Sequence, residues 1–310
     1  MKSSTPRFGN SVSLPHLAAV VAGALLIAFA PILAVLSTRG DDGVGTWDAA
    51  FWRVALGTCA LSVLFAVQRR SIVPRRGDFA GGHAWLWLPG VAFAGDFWSW
   101  HWSFENTSVA NASLLCNTAT ILVALYAWLV WKEKLTGLFV AGALLAVAGM
   151  ALLVLSSVGR EPPADGNPLF GDGLALLTAV FYAVYQLSMK RYRSEHSAPV
   201  LLFWASLVAS LILLPLALVH EAPFFPGSMR MWLPLLGLGF VSHFCGQGLI
   251  SWGVVGVPAS LGSVLLLVQP VATALLGVPI LGQELVPWQV VGAAACVGGL
   301  FLAVKGKRRG

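Results

Sequence analysis

Long apolar stretches, each close to the length that a helix needs to cross a bilayer, recur through the whole chain of 310 residues. A crossing takes about 20 apolar residues, because the hydrocarbon core is ~30 Å thick and a helix rises ~1.5 Å per residue. The composition agrees, since 57% of the residues are hydrophobic and only 10% are charged, where soluble domains carry ~25% charged residues. A soluble globular fold is therefore excluded, and we predict an all-α integral membrane protein.

The runs between glycines, prolines and charged clusters predict ten transmembrane helices. The predicted helices leave only short loops, so no separate water-soluble domain is expected. The first segment is longer than the apolar region of a signal peptide and similar segments follow it, so we expect it to be retained. The ten segments are Pro15–Leu36, Trp47–Val67, Ala84–Phe104, Ser108–Val130, Leu135–Leu155, Phe170–Met189, Pro199–Val219, Met231–Trp252, Val257–Leu281 and Val286–Val304.

Positive charges are distributed unevenly over the predicted loops and tails. With a cytoplasmic N-terminus, the inner regions hold 15 Lys and Arg, and the outer loops hold three, Arg39, Arg160 and Arg230. The positive-inside rule then places both termini in the cytoplasm of a multi-pass protein of the inner (plasma) membrane. The net charge of +6 reflects this topology, so no nucleic-acid partner is expected.

The two ends of the chain repeat one pattern, a helix followed by a short turn with Glu and Leu and then a Gly-rich helix. The turns are residues 131–135 and 281–285, and Glu133 and Glu284 are 151 residues apart. Because five helices per half is an odd number, the halves must insert with opposite orientation. We predict two inverted five-helix repeats, residues 1–157 and 158–310. Many secondary transporters have this organisation, with a substrate site near the midplane between the repeats.

Several motifs carry a resemblance to a known family. Phe170–Tyr185, with Lys190 and Arg191 closing that helix, resembles the start of the second half of EamA-type members of the drug/metabolite transporter superfamily. Phe51–Arg53 resembles the second helix of that family and Thr107–Leu115 its fourth. The two Glu-Leu turns match its helix hairpins. The resemblance covers roughly residues 15–305, and it implies a ten-helix carrier of small organic metabolites, often an exporter, that works by alternating access.

One departure from the family pattern concerns helix kinks. The ninth segment has the Gln269-Pro270 break that is common in the family, whereas the fourth reads Asn117-Thr118-Ala119-Thr120 without proline. The two halves are therefore not expected to be kinked equally.

Charged groups inside a bilayer cost roughly 2.5–3.5 kcal/mol at a helix centre and so indicate function. The ionisable candidates are Arg53, Asp96, His101 and His243. Asp96 and His243 lie near the middle of equivalent helices, whereas His101 points ~140° away from Asp96. Asp96 could bind substrate, couple transport to protons, or form a buried pair with Arg53 or His243. Arg53 could hold a substrate carboxylate, snorkel outward, or serve folding and topology.

Aromatic residues near the middle of helices form a second group, Trp98, Trp100, Trp102, Tyr182, Tyr185 and Trp204. Trp98 and Trp102 share a helix face and Trp100 points the other way, so these three cannot all line one cavity. His243, Gln247 and Ser251 share a face by the same spacing. We predict that the substrate-binding residues are Arg53, Asp96, Trp100, Asn111, Asn117, Tyr182, Gln186, His243, Gln247 and Gln269.

An aromatic cavity with few charges suits a zwitterion with an apolar side chain, or a flat organic cation. We predict a secondary transporter that exports small neutral metabolites, above all amino acids including aromatic ones, similar to the aromatic- and neutral-amino-acid exporters of the superfamily. Export of organic cations or drugs is the alternative, although the first helix lacks the membrane-embedded Glu of the small multidrug members. Phosphorylated sugars are disfavoured, because Arg53 is the one midplane cation.

An intramembrane enzyme is a remote alternative. An aspartyl protease needs two carboxylates that share a proton, and Asp96 is the one Asp well inside a predicted helix. Ser99 lacks the turn of a serine nucleophile. The four cysteines have neither metal-site nor disulfide spacing. We therefore expect no enzymatic activity, no cofactor and no metal. The expected partners are a small-molecule substrate and the lipid bilayer, with the chain a monomer or weak oligomer.

Overall fold

The computed structural model describes residues 12–69, 83–156, 166–193, 195–220, 223–282 and 284–308, and in these ranges the regular structure is entirely helical. The α-helices, labelled in chain order, are α1 Leu14–Ile27, α2 Phe29–Ser37, α3 Thr46–Val67, α4 Ala84–Phe104, α5 Val109–Cys116, α6 Ala119–Leu129, α7 Gly137–Leu155, α8 Pro168–Tyr192, α9 Ala198–Val219, α10 Trp232–Gly237, α11 Gly248–Gly253, α12 Ala259–Leu265, α13 Val268–Leu281 and α14 Pro287–Arg308.

Nine helical stretches within the described ranges are long and apolar enough to cross a membrane. They correspond to nine of the predicted segments, with ends that differ by a few residues. The remaining predicted segment forms α4, whose 21 residues begin at Ala84 and end at Phe104 as predicted. Helix α4 carries Asp96, His101 and five tryptophans. The prediction of an all-α, multi-pass membrane protein is confirmed.

Both of the segments that the kink expectation concerns are interrupted. The fourth predicted segment is interrupted between α5 and α6, much as the ninth is interrupted between α12 and α13. The first break has no proline, and two polar side chains bond to the main chain there. Asn117 Nδ2 donates to the Ser113 carbonyl at 2.7 Å, and Thr118 Oγ1 donates to the Leu115 carbonyl at 2.6 Å. The same two carbonyls also accept the main-chain N–H groups of Asn117 and Thr118, so the side chains add second hydrogen bonds at the break.

The eighth predicted segment is not a regular α-helix. Its centre, Leu238–Gln247, is a π-helical segment between α10 and α11, with a 3-10 turn at each end of the whole stretch. A π-helix closes its hydrogen bonds over five residues instead of four, which changes the side-chain spacing, and it is frequent at functional sites. His243 lies inside this π-helical segment.

Helices α7 and α14 pack against each other in opposite directions along a line of glycines. Gly142 faces Ala303, and Gly149 faces Cys296, so closely that a Cβ on either glycine would collide with the backbone opposite. Small residues of this kind let membrane helices approach to full van der Waals contact. The turn before α7, which holds Glu133, therefore lies beside the end of α14. The turn before α14 lies at the other end of the pair.

Helix α4 packs against α8 and α9 and brings its polar residues into the centre of the bundle. Its buried aromatic residues Phe93 and Phe97 join Tyr185 of α8 and Leu201 of α9 in one apolar cluster. Helix α3 packs against α9 and against the π-helical segment. This arrangement places residues of α3, α4, α8 and the π-helical segment next to one another.

Candidate functional site

Arg53 is a buried cation in α3. Its side chain is only 6% exposed, and its guanidinium carbon lies 4.8 Å from the centre of the Phe97 ring on α4, which is a cation–π contact. Among the residues that the structure describes, Nε of Arg53 has no hydrogen-bond partner. A buried cation with unused donors is costly, so Arg53 retains the capacity to bind an anionic group.

Asp96 is a half-buried carboxylate on α4, next to Phe97. Asp96 and Arg53 are close enough to interact electrostatically. The described residues nevertheless supply neither an ion pair nor a hydrogen bond to the Asp96 carboxylate. A direct pair of Asp96 with Arg53 or with His243 is thus not observed. The carboxylate has free acceptor positions beside an incompletely bonded cation.

His243 is fully buried and acts as a packing residue. Its Nε2 is 2.7 Å from Ser206 Oγ of α9, and its ring stacks on Phe93 at 5.5 Å. The opposite side of the ring lies against Gly57 of α3, where a Cβ would collide with it. His243 therefore connects the π-helical segment to three neighbouring helices. Its predicted position near the bundle centre is correct, but its ring is held by protein contacts.

Two tyrosines and a phenylalanine form an aromatic wall beside Arg53 and Asp96. Phe93 and Tyr185 stack at 4.2 Å with an angle of 9° between the rings, and Tyr182 lies parallel to Tyr185 at 6.2 Å. Both phenols lie near Arg53 and Asp96. The Gln269 amide lies against the Tyr182 phenol. The wall offers flat apolar surface with hydroxyl groups at its edge.

The tryptophans of α4 separate into two groups, as their spacing predicts. Trp98 and Trp102 lie 5.0 Å apart and both contact Trp47 of α3. Trp100 instead packs on Phe104 at 4.6 Å. Trp100 is half-buried, and its Nε1 lacks a hydrogen-bond acceptor within the described ranges. Of the three, Trp100 alone was predicted to bind substrate.

The two predicted asparagines lie at opposite ends of α5. Asn117, which follows the helix, donates from its side-chain amide to the Ser113 carbonyl, whereas Asn111 donates its main-chain N–H to Ser108 Oγ at the helix start. Both side chains are half-buried. Local helix structure therefore gives a reason for the amide at position 117 but not for the one at position 111.

An apolar chamber begins at the tyrosine pair. It extends along α8 from Tyr182 and Tyr185 to Lys190. Three of the predicted site residues, Tyr182, Gln186 and Gln247, line it. The other seven do not, and Arg53 and Asp96 are near the chamber only through the tyrosine pair. The aliphatic part of the wall comprises Val20, Val123, Ile250, Val254, Val257 and Leu266.

Sequence reasoning missed several residues of this region. Phe93 and Phe97 form the ring surfaces next to Arg53, and their spacing of four residues on α4 was an available signal. Ser251 was placed by its spacing on the face of His243 and Gln247 but was not predicted to bind substrate. It is only 3% exposed and lines the chamber, and its hydroxyl has no hydrogen-bond partner among the described residues. Lys190 was counted as a loop cation, but it is 4% exposed and bonds to backbone carbonyls. No pattern in the sequence indicates those carbonyl contacts.

Two curated relatives of the chain are named as transporters. The chain is 27% identical over 176 residues to a transporter of Archaeoglobus fulgidus, covering 56% of this chain and 57% of that protein. It is 28% identical over 182 residues to the transporter YetK of Bacillus subtilis, covering 57% and 54% of the two chains. With the WAT1-related protein At3g02690 of Arabidopsis thaliana it shares 30% identity over 166 residues, or 51% and 38%. The chain thus spans about half the length of the first two relatives.

Similarity to a solved structure and to the pattern of one family covers more of the chain than the similarity to these relatives does. A solved crystal structure superposes with a TM-score of 0.80 at 18% identity, covering 95% of this chain and 98% of the other. This likeness shows a shared fold. The sequence pattern of solute carrier family 35 matches residues 94–220. The pattern of the EamA-like transporter family matches twice, at residues 16–155 and 169–305. The resemblance to the drug/metabolite transporter superfamily is confirmed, and the chain belongs to the EamA-like transporter family.

Proposed function

We propose that this protein carries small zwitterionic metabolites, above all amino acids including aromatic ones, out of the cell across the inner membrane. In this proposal ten helices cross the membrane in two inverted halves, residues 1–157 and 158–310, and both termini are cytoplasmic. The carrier works by alternating access to a site between the halves. The observation that carries the proposal is the unpaired juxtaposition of Arg53 and Asp96 beside an aromatic wall.

Three observations support the inverted ten-helix arrangement. The family pattern occurs twice in the chain, once in each proposed half. Helices α7 and α14, which end the two halves, run in opposite directions. Helix α4 is 21 residues long, or ~31 Å, so it is long enough to be the tenth crossing helix.

The charges of the site match the two ends of an amino-acid backbone. Arg53 has free donors for a carboxylate, and guanidinium groups bind carboxylates through two parallel hydrogen bonds. Asp96 has free acceptors for an ammonium group. A zwitterion would neutralise both residues at once, so that neither charge stays uncompensated when the site closes to water. The substrate side chain would then lie on Tyr182 and extend into the apolar chamber.

The chamber sets the expected side-chain preference. Its wall consists of aliphatic side chains and the tyrosine pair, and its polar groups are few. Apolar pockets with a small number of placed polar groups select ligands by shape and apolar area. We therefore expect leucine, phenylalanine and tyrosine to be carried better than aspartate or lysine.

Organic cations are the second candidate. Asp96 and the aromatic wall would suit a flat cation, but Arg53 then places a like charge next to the ligand. A phosphorylated sugar would need several cations; besides Arg53, the buried cation that lines the chamber is Lys190, whose Nζ already donates to the carbonyls of Val254 and Val257.

Counterflow in liposomes tests the proposal. Purified protein is reconstituted with unlabelled leucine inside, and uptake of labelled leucine, phenylalanine, aspartate, a quaternary ammonium and a hexose phosphate is measured. The proposal predicts uptake of the two apolar amino acids at rates at least about tenfold above empty vesicles, a difference of ~1.4 kcal/mol in barrier. Uptake of the hexose phosphate without uptake of either amino acid would overturn the substrate class.

A further inference from the structure

Buried charged groups lie at one end of the chamber. Lys190, near the end of α8, donates from Nζ to the main-chain oxygens of Val254 at 2.6 Å and Val257 at 2.5 Å. All three residues line the chamber. These hydrogen bonds therefore join α8 to the turn before α12 across the chamber's end.

Glu133 holds the start of α12 at the same end. It is 2% exposed. Its Oε1 accepts from the Ala259 N–H at 2.7 Å, and its Oε2 accepts from the Ser260 hydroxyl at 2.6 Å and the Ser260 N–H at 3.2 Å. Lys307 of α14 lies 3.6 Å from Oε2. A carboxylate is tolerated in the interior when it is bonded this completely. We call Glu133 and Lys190, with the bonds they make, the Glu133 lock.

A corresponding pair of residues, Glu284 and Arg39, lies at the opposite end of the bundle. Glu284 follows Glu133 by 151 residues, and Lys190 follows Arg39 by the same 151 residues. Glu284 precedes α14 as Glu133 precedes α7, and these two helices are antiparallel. Glu284 and Arg39 are therefore the counterparts of Glu133 and Lys190 at the other end.

The turn before α12, which Lys190 contacts and which leads to the helix start held by Glu133, also has a counterpart in the first half, the turn before α5. The turn before α12 is fixed to the beginning of α1, where the Ser13 N–H donates to the Gly256 carbonyl at 2.9 Å. The turn before α5 is fixed to the beginning of α8, where Thr107 Oγ1 donates to Asp172 Oδ1 at 2.7 Å. Each turn is thus attached to the first helix of the other half.

The two sets of residues differ in their burial and in their contacts. Glu133 and Lys190 are buried and fully engaged, whereas Glu284 and Arg39 are exposed. Across the described ranges neither Glu284 nor Arg39 makes a side-chain hydrogen bond or an ion pair. Two equivalent sets of residues, one engaged and one free, are what a two-state carrier presents in one of its states.

We propose that Glu133 and Glu284 are alternate gate locks of the carrier. In the state seen here the Glu133 lock closes the chamber at its Lys190 end. In the opposite state Glu284 binds the start of α5, Arg39 binds carbonyls of the turn before α5, and the Glu133 lock is released. This inference rests on the alternating access proposed above, and it assigns the residues that stabilise each closed end.

Accessibility of a cysteine in the chamber tests the gate without any substrate. Ser251→Cys is introduced in a chain whose four cysteines are replaced, because Ser251 lines the chamber between the tyrosine pair and Lys190. Labelling by a membrane-impermeant thiol reagent is measured from each side of sealed vesicles. Glu133→Gln should raise the ratio of labelling from the Lys190 side to labelling from the opposite side at least about fivefold, and Glu284→Gln should lower it by a similar factor.

Three further variants distinguish an effect on the gate from other effects of the substitutions. Glu195→Gln removes an exposed carboxylate that pairs with Arg191, and it should leave the ratio unchanged. Ser260→Ala deletes one of the bonds to Glu133, and it should shift the ratio in the same direction as Glu133→Gln if that variant does not fold. The variant Glu133→Gln/Glu284→Gln should return the ratio toward that of the parent.

Three results would contradict the proposal. Unchanged ratios in Glu133→Gln, Ser260→Ala and Glu284→Gln, with the parent labelled from both sides, would overturn the gate alone and leave alternating access intact. A shift in the same direction for both Glu variants would overturn the reciprocal roles. A parent protein labelled from one side only would overturn alternating access itself, on which the gate depends.

Discussion

Asp96 and Arg53 lie on neighbouring helices, close enough for their charges to interact, yet they are not joined as an ion pair. This relationship differs from that of an ion pair whose only role is structural, in which removal of one partner leaves a buried charge uncompensated. Asp96 is half-buried, and no donor in the described ranges contacts its carboxylate. In the proposed function, this pair binds a third, dipolar group.

Asp96→Asn should therefore impair transport more than folding. The amide keeps the size of the side chain but removes the charge that would bind an ammonium group. We predict at least about a tenfold loss in amino-acid counterflow, equivalent to ~1.4 kcal/mol, with an unchanged thermal unfolding temperature. Asp41→Asn, in the exposed loop before α3, is the matched control. Counterflow at the parental rate in Asp96→Asn would remove Asp96 from the site.

Gly57→Ala should destabilise the protein, because the new methyl group would collide with the His243 ring. His243 cannot move away without breaking its 2.7 Å contact with Ser206. Overpacking of this kind costs about 1–3 kcal/mol. Gly248→Ala is the control, since no atom lies within 4 Å of its added Cβ. Thermal unfolding in detergent should fall for the first variant only, and equal values for both would show that the His243 contact is not rigid.

Adjacent glycines on α14 should respond differently to the same change. A Cβ on Gly299 would collide with the backbone at Ala146, whereas a Cβ on Gly298 meets nothing within 4 Å. We predict that Gly299→Val separates α7 from α14 and lowers folded yield and thermal stability strongly. Gly298→Val should remain near the parent, and the two are compared by size-exclusion chromatography and thermal unfolding. A folded, stable Gly299→Val would contradict close packing of α7 and α14.

Cysteine labelling in whole cells tests the proposed orientation. Asp41 and Lys134 are both exposed, and the charge distribution places Asp41 outside and Lys134 in the cytoplasm. A thiol reagent that does not cross membranes should label Asp41→Cys directly and Lys134→Cys only after permeabilisation. The reverse pattern would invert the topology.

Helix positions could be predicted from the sequence because a bilayer demands long apolar runs whatever the tertiary contacts are. Helix α3 shows this, since it starts one residue before the predicted segment and ends at Val67 as predicted. The break after Asn117 and the π-helical segment around His243 were not foreseen. Both depend on side-chain and packing interactions that no periodicity records.

The candidate site was predicted only in part. Arg53 and Asp96 could be found because charges are rare inside apolar helices, and the structure places them together. His243 has the same sequence signal, yet Ser206 and Gly57 hold it in the packing. Lys190 is the opposite case. Its role depends on backbone carbonyls 64 to 67 residues away, and tertiary structure alone brings them together.

The central claim is that Arg53 and Asp96 bind opposite ends of one zwitterionic substrate, and it is tested most directly by comparing phenylalanine with phenethylamine, which lacks the carboxylate. Counterflow of both compounds is measured in liposomes containing the parent or Arg53→Gln. We predict that the parent prefers phenylalanine and that Arg53→Gln lowers the ratio of phenylalanine to phenethylamine rates at least about tenfold, or ~1.4 kcal/mol. An equal loss for both compounds, with the ratio unchanged, would contradict carboxylate binding by Arg53.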